Sequence, residues 1–183
     1  MKYIIEHLEP ELYEWCVIEY KHIAEIIGKD NLIITNLPAS LHQNVSEFAT
    51  PHKESVCALQ LGNLCLLELD AAQELSSDDQ FDGIILGGIL GDDPPTGRTK
   101  VLKKLGVPER NLGPRQMSTD NAVFVAKQII EGKKLSDITF QDGVELELED
   151  GESVKFPFRY VLVYGKPFVS DALIEHLKHR EDF

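Results

Sequence analysis

The stretch FDGIILGGILGDDPP, residues 81–95, joins an apolar run to glycines at 87, 88 and 91 and closes on two acids and two prolines. Glycines at a strand exit let the main chain turn tightly and approach a ligand with no side chain between, and Pro94 and Pro95 hold the exit rigid. Ligands of open parallel sheets sit at such strand ends. The spacing GGxxG is neither the GxGxxG of dinucleotide sites nor a phosphate-binding loop, and no lysine stands in the stretch. A tight strand exit with no ligand accounts for the same residues. A second loop, NLGPRQMSTD at 111–120, repeats the arrangement: Leu112 and Gly113 leave a strand, and a polar turn leads into a helix. Two such backbone-rich loops on neighbouring strands could form a slot for a flat heterocycle such as adenine, held by main-chain N–H and C=O groups.

Alternating strands and helices position these loops. Tyr3–Ile5 is a strand, and apolar residues at helical spacing predict a helix over Pro10–Ile27, closed by Gly28. Leu32–Thr35 is the second strand. Residues 36–63 stay open, because Pro38 and Pro51 break them and SVCALQLG (55–62) fits a strand or a short helix. Leu64–Leu69 and Phe81–Leu86 are apolar runs suited to strands covered on both faces of a parallel sheet. A helix over about Arg98–Leu105 and an extended piece near Asn111 and Leu112 follow. Ser118 can cap the next helix, whose stripe of Ala122, Val123, Ala126, Ile129 and Ile130 ends at Gly132. The alternation of VELELEDGESVKFPF around Asp150 and Gly151 predicts a hairpin. RYVLVYGKPF adds an extended run, and a last helix starts at Ser170.

With 183 residues and 43% apolar content, the chain is read as one domain over 1–183, with residues 138–183 as a C-terminal extension. Thirty-one acids against 18 Lys and Arg leave a net charge of −13, which disfavours nucleic acid and favours a basic partner. KVLKK at 100–104 is the sole basic cluster, and a solvated helix face explains it too. No bilayer-spanning stretch or secretion signal occurs, so a cytoplasmic protein without membrane partners is expected. Cys16, Cys57 and Cys65 are odd in number and have apolar neighbours, which predicts buried free thiols. His176 and His179 lack a third ligand at a recognisable spacing, so no metal is expected and both are read as exposed tail residues.

Several segments together resemble the SPOUT class of S-adenosylmethionine-dependent methyltransferases, and within it the ribosomal-protein arginine methyltransferases. They are KYIIEHLEPELYEW, CLLELDAA, FDGIILGGILGDDPPTGRTKVLK, LGPRQMSTDNAV, FPFRYVL and GKP. The pairing of GGILGDxPPxxRT with LGxxQMxTD is the specific part. Ala71 stands where the family usually carries proline after Asp70, and residues 36–63 are shorter than the family pattern. The resemblance implies a mostly parallel sheet flanked by helices with a C-terminal trefoil knot, to which the antiparallel hairpin is added. It also implies S-adenosylmethionine as cofactor and a monomer. Carried over by position, the cofactor loops are Leu67–Asp70, with Leu67, Leu69 and Asp70 named in it; Leu86–Gly91, with Leu86, Gly87, Gly88, Ile89 and Gly91; and Leu112–Thr119, with Leu112, Gly113, Gln116, Met117 and Thr119. Ala122 would let its helix pack close.

The activity so implied is methylation of an arginine on a small-subunit ribosomal protein. The alternatives are a tRNA or rRNA methyltransferase, and a cofactor-binding ribosome-assembly module without turnover. A guanidinium has a pKa above about 12 and would meet a second cation at the sulfonium, so carboxylates are needed to hold it and to take its proton. Glu6 and Glu9 are assigned as clamps and Asp92 as a further clamp or proton acceptor. Glu9 has a second reading as an ordinary acid at a helix start, and Asp93 is read as a turn residue. Arg98 either orients substrate or cofactor carboxylate or pairs with Asp92 or Asp93, and Arg115 carries the same ambiguity. Met117 is equally a core residue, while Phe156, Phe158 and Tyr160 are read as packing.

Overall fold

Runs of Ile, Leu and Val need cover on both faces, and the computed structural model provides it; it describes residues 1–88, 97–147 and 153–178, without the side chains of 146 and 147. β1 (Lys2–His7) lies inside a six-stranded sheet. β2 (Leu32–Thr35) and β3 (Thr50–Pro51) continue it on one side, and β5 (Gly83–Gly88), β4 (Leu64–Leu67) and β6 (Glu109–Arg110) on the other. All pairings are parallel. Alternate residues of the central strands go to opposite faces. Tyr3, Ile5, Ile34 and Ile84 pack with Tyr20 and Ile23 of α1 (Glu14–Ile27) and with Val123, Ala126 and Ile129 of α2 (Thr119–Ile130). Ile4, Ile33, Leu66 and Ile85 pack on the other side with Val56 and Leu102, carried by the 3-10 segments Val56–Ala58 and Arg98–Leu105. Each such side chain contributes about 1.5–3 kcal/mol on burial.

The expected elements shift where the chain must travel. Leu8 N–H still bonds to the Gly88 carbonyl, 3.1 Å, and the chain then bends over residues 9–11, so α1 begins at Glu14 instead of Pro10. Glu9 therefore lies before the helix, and its reading as a first-turn acid does not apply. β6 sits just before the expected extended piece, because Leu66 and Glu68 N–H bond to the Pro108 and Arg110 carbonyls; Leu112 belongs to the loop. Arg98–Leu105 is 3-10 rather than α-helical, bounded by Gly97 and Gly106 in the left-handed region. The open segment resolves into the 3-10 helix Ala39–Asn44, β3 and Val56–Ala58, so SVCALQLG is a short helical turn. Cys16 and Cys65 are buried and free, but Cys57 is exposed in that turn, contrary to expectation. His176 is half-buried near Glu14, 3.6 Å, not a free tail residue; His179 lies outside the described residues.

The C-terminal residues form a separate antiparallel sheet of β7 (Phe140–Glu147), β8 (Ser153–Val163) and β9 (Lys166–Pro167), followed by α3 (Asp171–Lys178). The turn around Asp150 and Gly151 falls outside the described residues. RYVLV is no new strand but the second half of β8. Phe158 and Tyr160 bury beside Val144 with Phe156 against them, in line with packing. Asn121, fully buried, bolts this sheet to α2: its amide donates to the Phe168 carbonyl, 2.9 Å, and its oxygen accepts the Val161 N–H, 2.9 Å.

Candidate active site

Parallel strands all present their carboxyl ends to one edge, and the loops leaving β4, β5 and β6 meet there. They enclose a cavity of about 360 Å3, within the roughly 300–1,000 Å3 usual for small-molecule sites. Leu67, Leu69 and Asp70 border it from the β4 loop, and Leu86 and Gly87 from the end of β5. Leu112, Gly113, Gln116 and Met117 border it from the β6 loop, followed by Thr119 and Ala122 of α2. Arg98 closes the rim. The sequence thus gathers residues 55 positions apart around one space, because β4 lies between β5 and β6 in the sheet.

Gly87 makes the close approach possible. A Cβ there would overlap Thr99 Cγ2 and come within 3.5 Å of Leu8 Cδ1, so only a glycine leaves room for this wall. Gly88 points the other way and is not on the cavity wall: its Cβ would stand 2.5 Å from Tyr20 Oη and 2.7 Å from Ile5 Cγ2. Ile89, Gly91 and Asp92 lie outside the described residues, as does Asp93.

The acids divide. Glu6 is buried in the sheet, where its Oε2 accepts Thr35 Oγ1–H at 2.5 Å and the Val56 N–H at 2.8 Å; it ties β1 to β2 and the segment beyond, one strand from Gly87 and off the cavity wall. The Glu9 side chain is 8% exposed and grips Arg98: Nη1 lies 3.2 Å from both carboxylate oxygens. Asp70 turns outward to Lys103, 2.8 Å, whose hydrogen bond holds the carboxyl below its ordinary range. Lys103 also bonds to Glu109, 2.9 Å, so part of the basic cluster is engaged in pinning the β4 and β6 ends together.

The α2 start is held from α1. Thr119 N–H donates to Glu19 Oε1, 3.0 Å, and Asp120 bonds His22 Nδ1, 2.8 Å. Ser118 does not cap the backbone; its hydroxyl donates to Asp120 Oδ1, 2.6 Å. Burial, then the Asp120 charge, raises the Glu19 carboxyl well above the ordinary value. Met117 both borders the cavity and packs on the core, and the Arg159 N–H bonds to the Gln116 carbonyl, 2.8 Å, so the C-terminal sheet steadies this loop. Arg115 lines the cavity and is largely exposed, 3.8 Å from Asp142. Glu68 lies on the wall within the expected loop Leu67–Asp70 without being singled out by its residue type, and Thr99 and Lys100, which directly follow Arg98 in sequence, join the wall unannounced.

Comparison with known proteins agrees with this geometry. The family model described as protein arginine N-methyltransferase SFM1-like matches residues 2–182. Protein arginine N-methyltransferase SFM1 of Saccharomyces cerevisiae is 35% identical over 201 residues, covering 97% of this chain and 94% of its own. The crystal structure of the yeast enzyme complexed with SAH matches at a TM-score of 0.88 and 34% identity, over 97% of this chain and 94% of that one. Its complex with SAM matches at 0.88 and 35%, over 97% and 89%. A dual-specific Trm10 of Thermococcus kodakaraensis, 15% identical, shares the SPOUT fold alone, at a TM-score of 0.58 over 75% of this chain and 96% of that one. A match spanning almost every residue, with the motif-bearing loops converging on one cavity, means that the chain belongs to the SFM1-like family of protein arginine N-methyltransferases.

Proposed function

We propose that this protein methylates an arginine side chain of a basic protein, a small-subunit ribosomal protein being the favoured substrate, with S-adenosylmethionine as the methyl donor. The observation that carries the reading is the Glu9–Arg98 contact at the cavity rim: a largely buried carboxylate there already holds a guanidinium nitrogen with both oxygens. The residues fit the cofactor. The cavity has the volume, the Gly87 wall admits close main-chain approach, and Leu67, Leu69, Leu86 and Leu112 give apolar walls for an adenine. Arg98, Lys100 and Arg115 offer cations for a carboxylate tail.

When bound, S-adenosylmethionine supplies a methyl group on a positively charged sulfur. The residues must bring a guanidinium nitrogen in line with that methyl, an alignment worth up to about 7–11 kcal/mol. Methylation of a guanidinium nitrogen would release one proton, which the Asp92 carboxylate is proposed to accept. Glu9 offsets the added charge and accepts a hydrogen bond from the incoming group, and Asp92 is the second acid of the proposal. The leucines exclude water, which strengthens these charge contacts. A monomer in the cytoplasm and a trefoil thread through the loops complete the proposal. Among the described residues, no helix is long and apolar enough to cross a membrane.

Incubation with methyl-labelled cofactor and ribosomal subunits, followed by RNase or protease, tests it. Label that survives RNase and is lost to protease supports arginine methylation. Loss to RNase favours the RNA methyltransferase, and cofactor binding with no transfer favours the assembly module.

A further inference from the structure

Two acids leave β4, and they are not equivalent. Asp70, at the surface, is held by Lys103. Glu68 borders the cavity and is 8% exposed, yet its Oε1 is closed from solvent with no hydrogen-bond partner among the described residues. Its main chain is fixed, since the N–H donates to the Arg110 carbonyl, 2.9 Å, and the carbonyl accepts the Ala71 N–H, 3.2 Å. Buried polar atoms are nearly always paired, and an idle carboxylate oxygen beside a cavity asks for a donor that arrives with a ligand.

We propose that Glu68 anchors the ribose, its carboxylate accepting hydrogen bonds from the vicinal hydroxyls of the bound adenosyl cofactor. The inference rests on reading the cavity as an adenosyl site. Position selects the ribose over the other donors of that ligand. The β4 loop lies between the loops of β5 and β6, so a molecule laid across all three sets its central sugar on the middle one. The cations that suit a methionine carboxylate, Arg98 and Lys100, come from the chain after β5, at one side of Glu68. A carboxylate is also the group that pairs naturally with sugar hydroxyls, having acceptor oxygens only.

Calorimetric titration of the full chain with SAH, with 5′-methylthioadenosine and with its 2′-deoxy analogue tests this. Glu68→Ala is expected to weaken SAH and methylthioadenosine by the same factor, about tenfold or more. Wild type should bind the deoxy analogue more weakly than methylthioadenosine, and Glu68→Ala should no longer distinguish the two. Glu68→Gln, which keeps the shape, guards against misfolding and should lose affinity with an unchanged melting temperature. A loss confined to SAH would overturn the proposal by assigning Glu68 to the ammonium group, and unchanged affinities in both variants would overturn it outright. Failure of the wild type to bind either SAH or methylthioadenosine would instead sink the adenosyl reading beneath it.

Discussion

Adjacent glycines at the end of β5 face opposite ways, and one methyl added to each should separate the site from the fold. In Gly87→Ala the new Cβ overlaps Thr99 Cγ2, and relief requires Thr99 to retreat by about 1 Å, taking Arg98 and Lys100 with it along the 3-10 segment. A misplacement of about 1 Å costs on the order of 100-fold in rate. In Gly88→Ala the Cβ meets Tyr20 Oη at 2.5 Å and Ile5 Cγ2 at 2.7 Å, where ordinary contact begins near 3.4 Å. Overpacking of this kind costs about 1–3 kcal/mol, or roughly 2–12 °C in Tm for a chain of this size. The assay is SAH calorimetry and labelled methyl transfer on folded protein, with melting curves for both variants. Gly87→Ala should lose binding and rate, and Gly88→Ala should lose stability while the folded fraction still binds SAH. Wild-type binding and turnover in Gly87→Ala would refute the placement of the cavity wall.

Glu9→Gln is expected to lower kcat/KM for the protein substrate by about 10²–10⁴-fold, far more than it shifts SAH affinity, because Gln still offers Arg98 an acceptor oxygen, as read by single-turnover transfer and calorimetry; full activity would remove Glu9 from the chemistry. Glu19 has a folded-state pKa raised above its ordinary 4.5, first by burial and then by Asp120, so its contribution to stability is complete below about 4.5 and is lost as pH climbs through the raised value. Glu19→Gln keeps the acceptor for Thr119 and ends the repulsion of Asp120, so denaturant melts in mildly alkaline buffer should show a gain of about 1–3 kcal/mol and a flatter pH profile. Asn121→Ala leaves the Val161 N–H without its acceptor, and should cost about 1–3 kcal/mol and speed hydrogen exchange in β8 and β9 before the main sheet.

The sheet was legible because its strands carry their evidence locally. Leu32–Thr35 coincides with β2, the run from Leu64 contains β4, and the run Phe81–Leu86 covers only the first part of β5, which continues through Gly87 and Gly88. The residues 36–63 were not, since 3-10 turns and a two-residue strand have no periodicity to detect. The cofactor loops could be named from motifs, but whether a side chain faces the cavity depends on contacts across the fold. Glu6 is expected as a clamp and sits with Thr35 and Val56; Asp70 borders the cavity as expected, but its carboxylate is engaged by Lys103. Glu68 lies inside the expected loop Leu67–Asp70, but nothing singles it out there, because its distinguishing feature, an oxygen without a partner, exists only once the chain is folded. Glu9 became more specific in the structure, since its partner Arg98 is 89 residues away.

A crystal structure of the protein with SAH decides whether this cavity is the cofactor site. The adenosyl group is expected between the loops that leave β4, β5 and β6, with atoms within about 4 Å of Leu67, Gly87 and Leu112. SAH bound anywhere else, with this cavity empty, would contradict it.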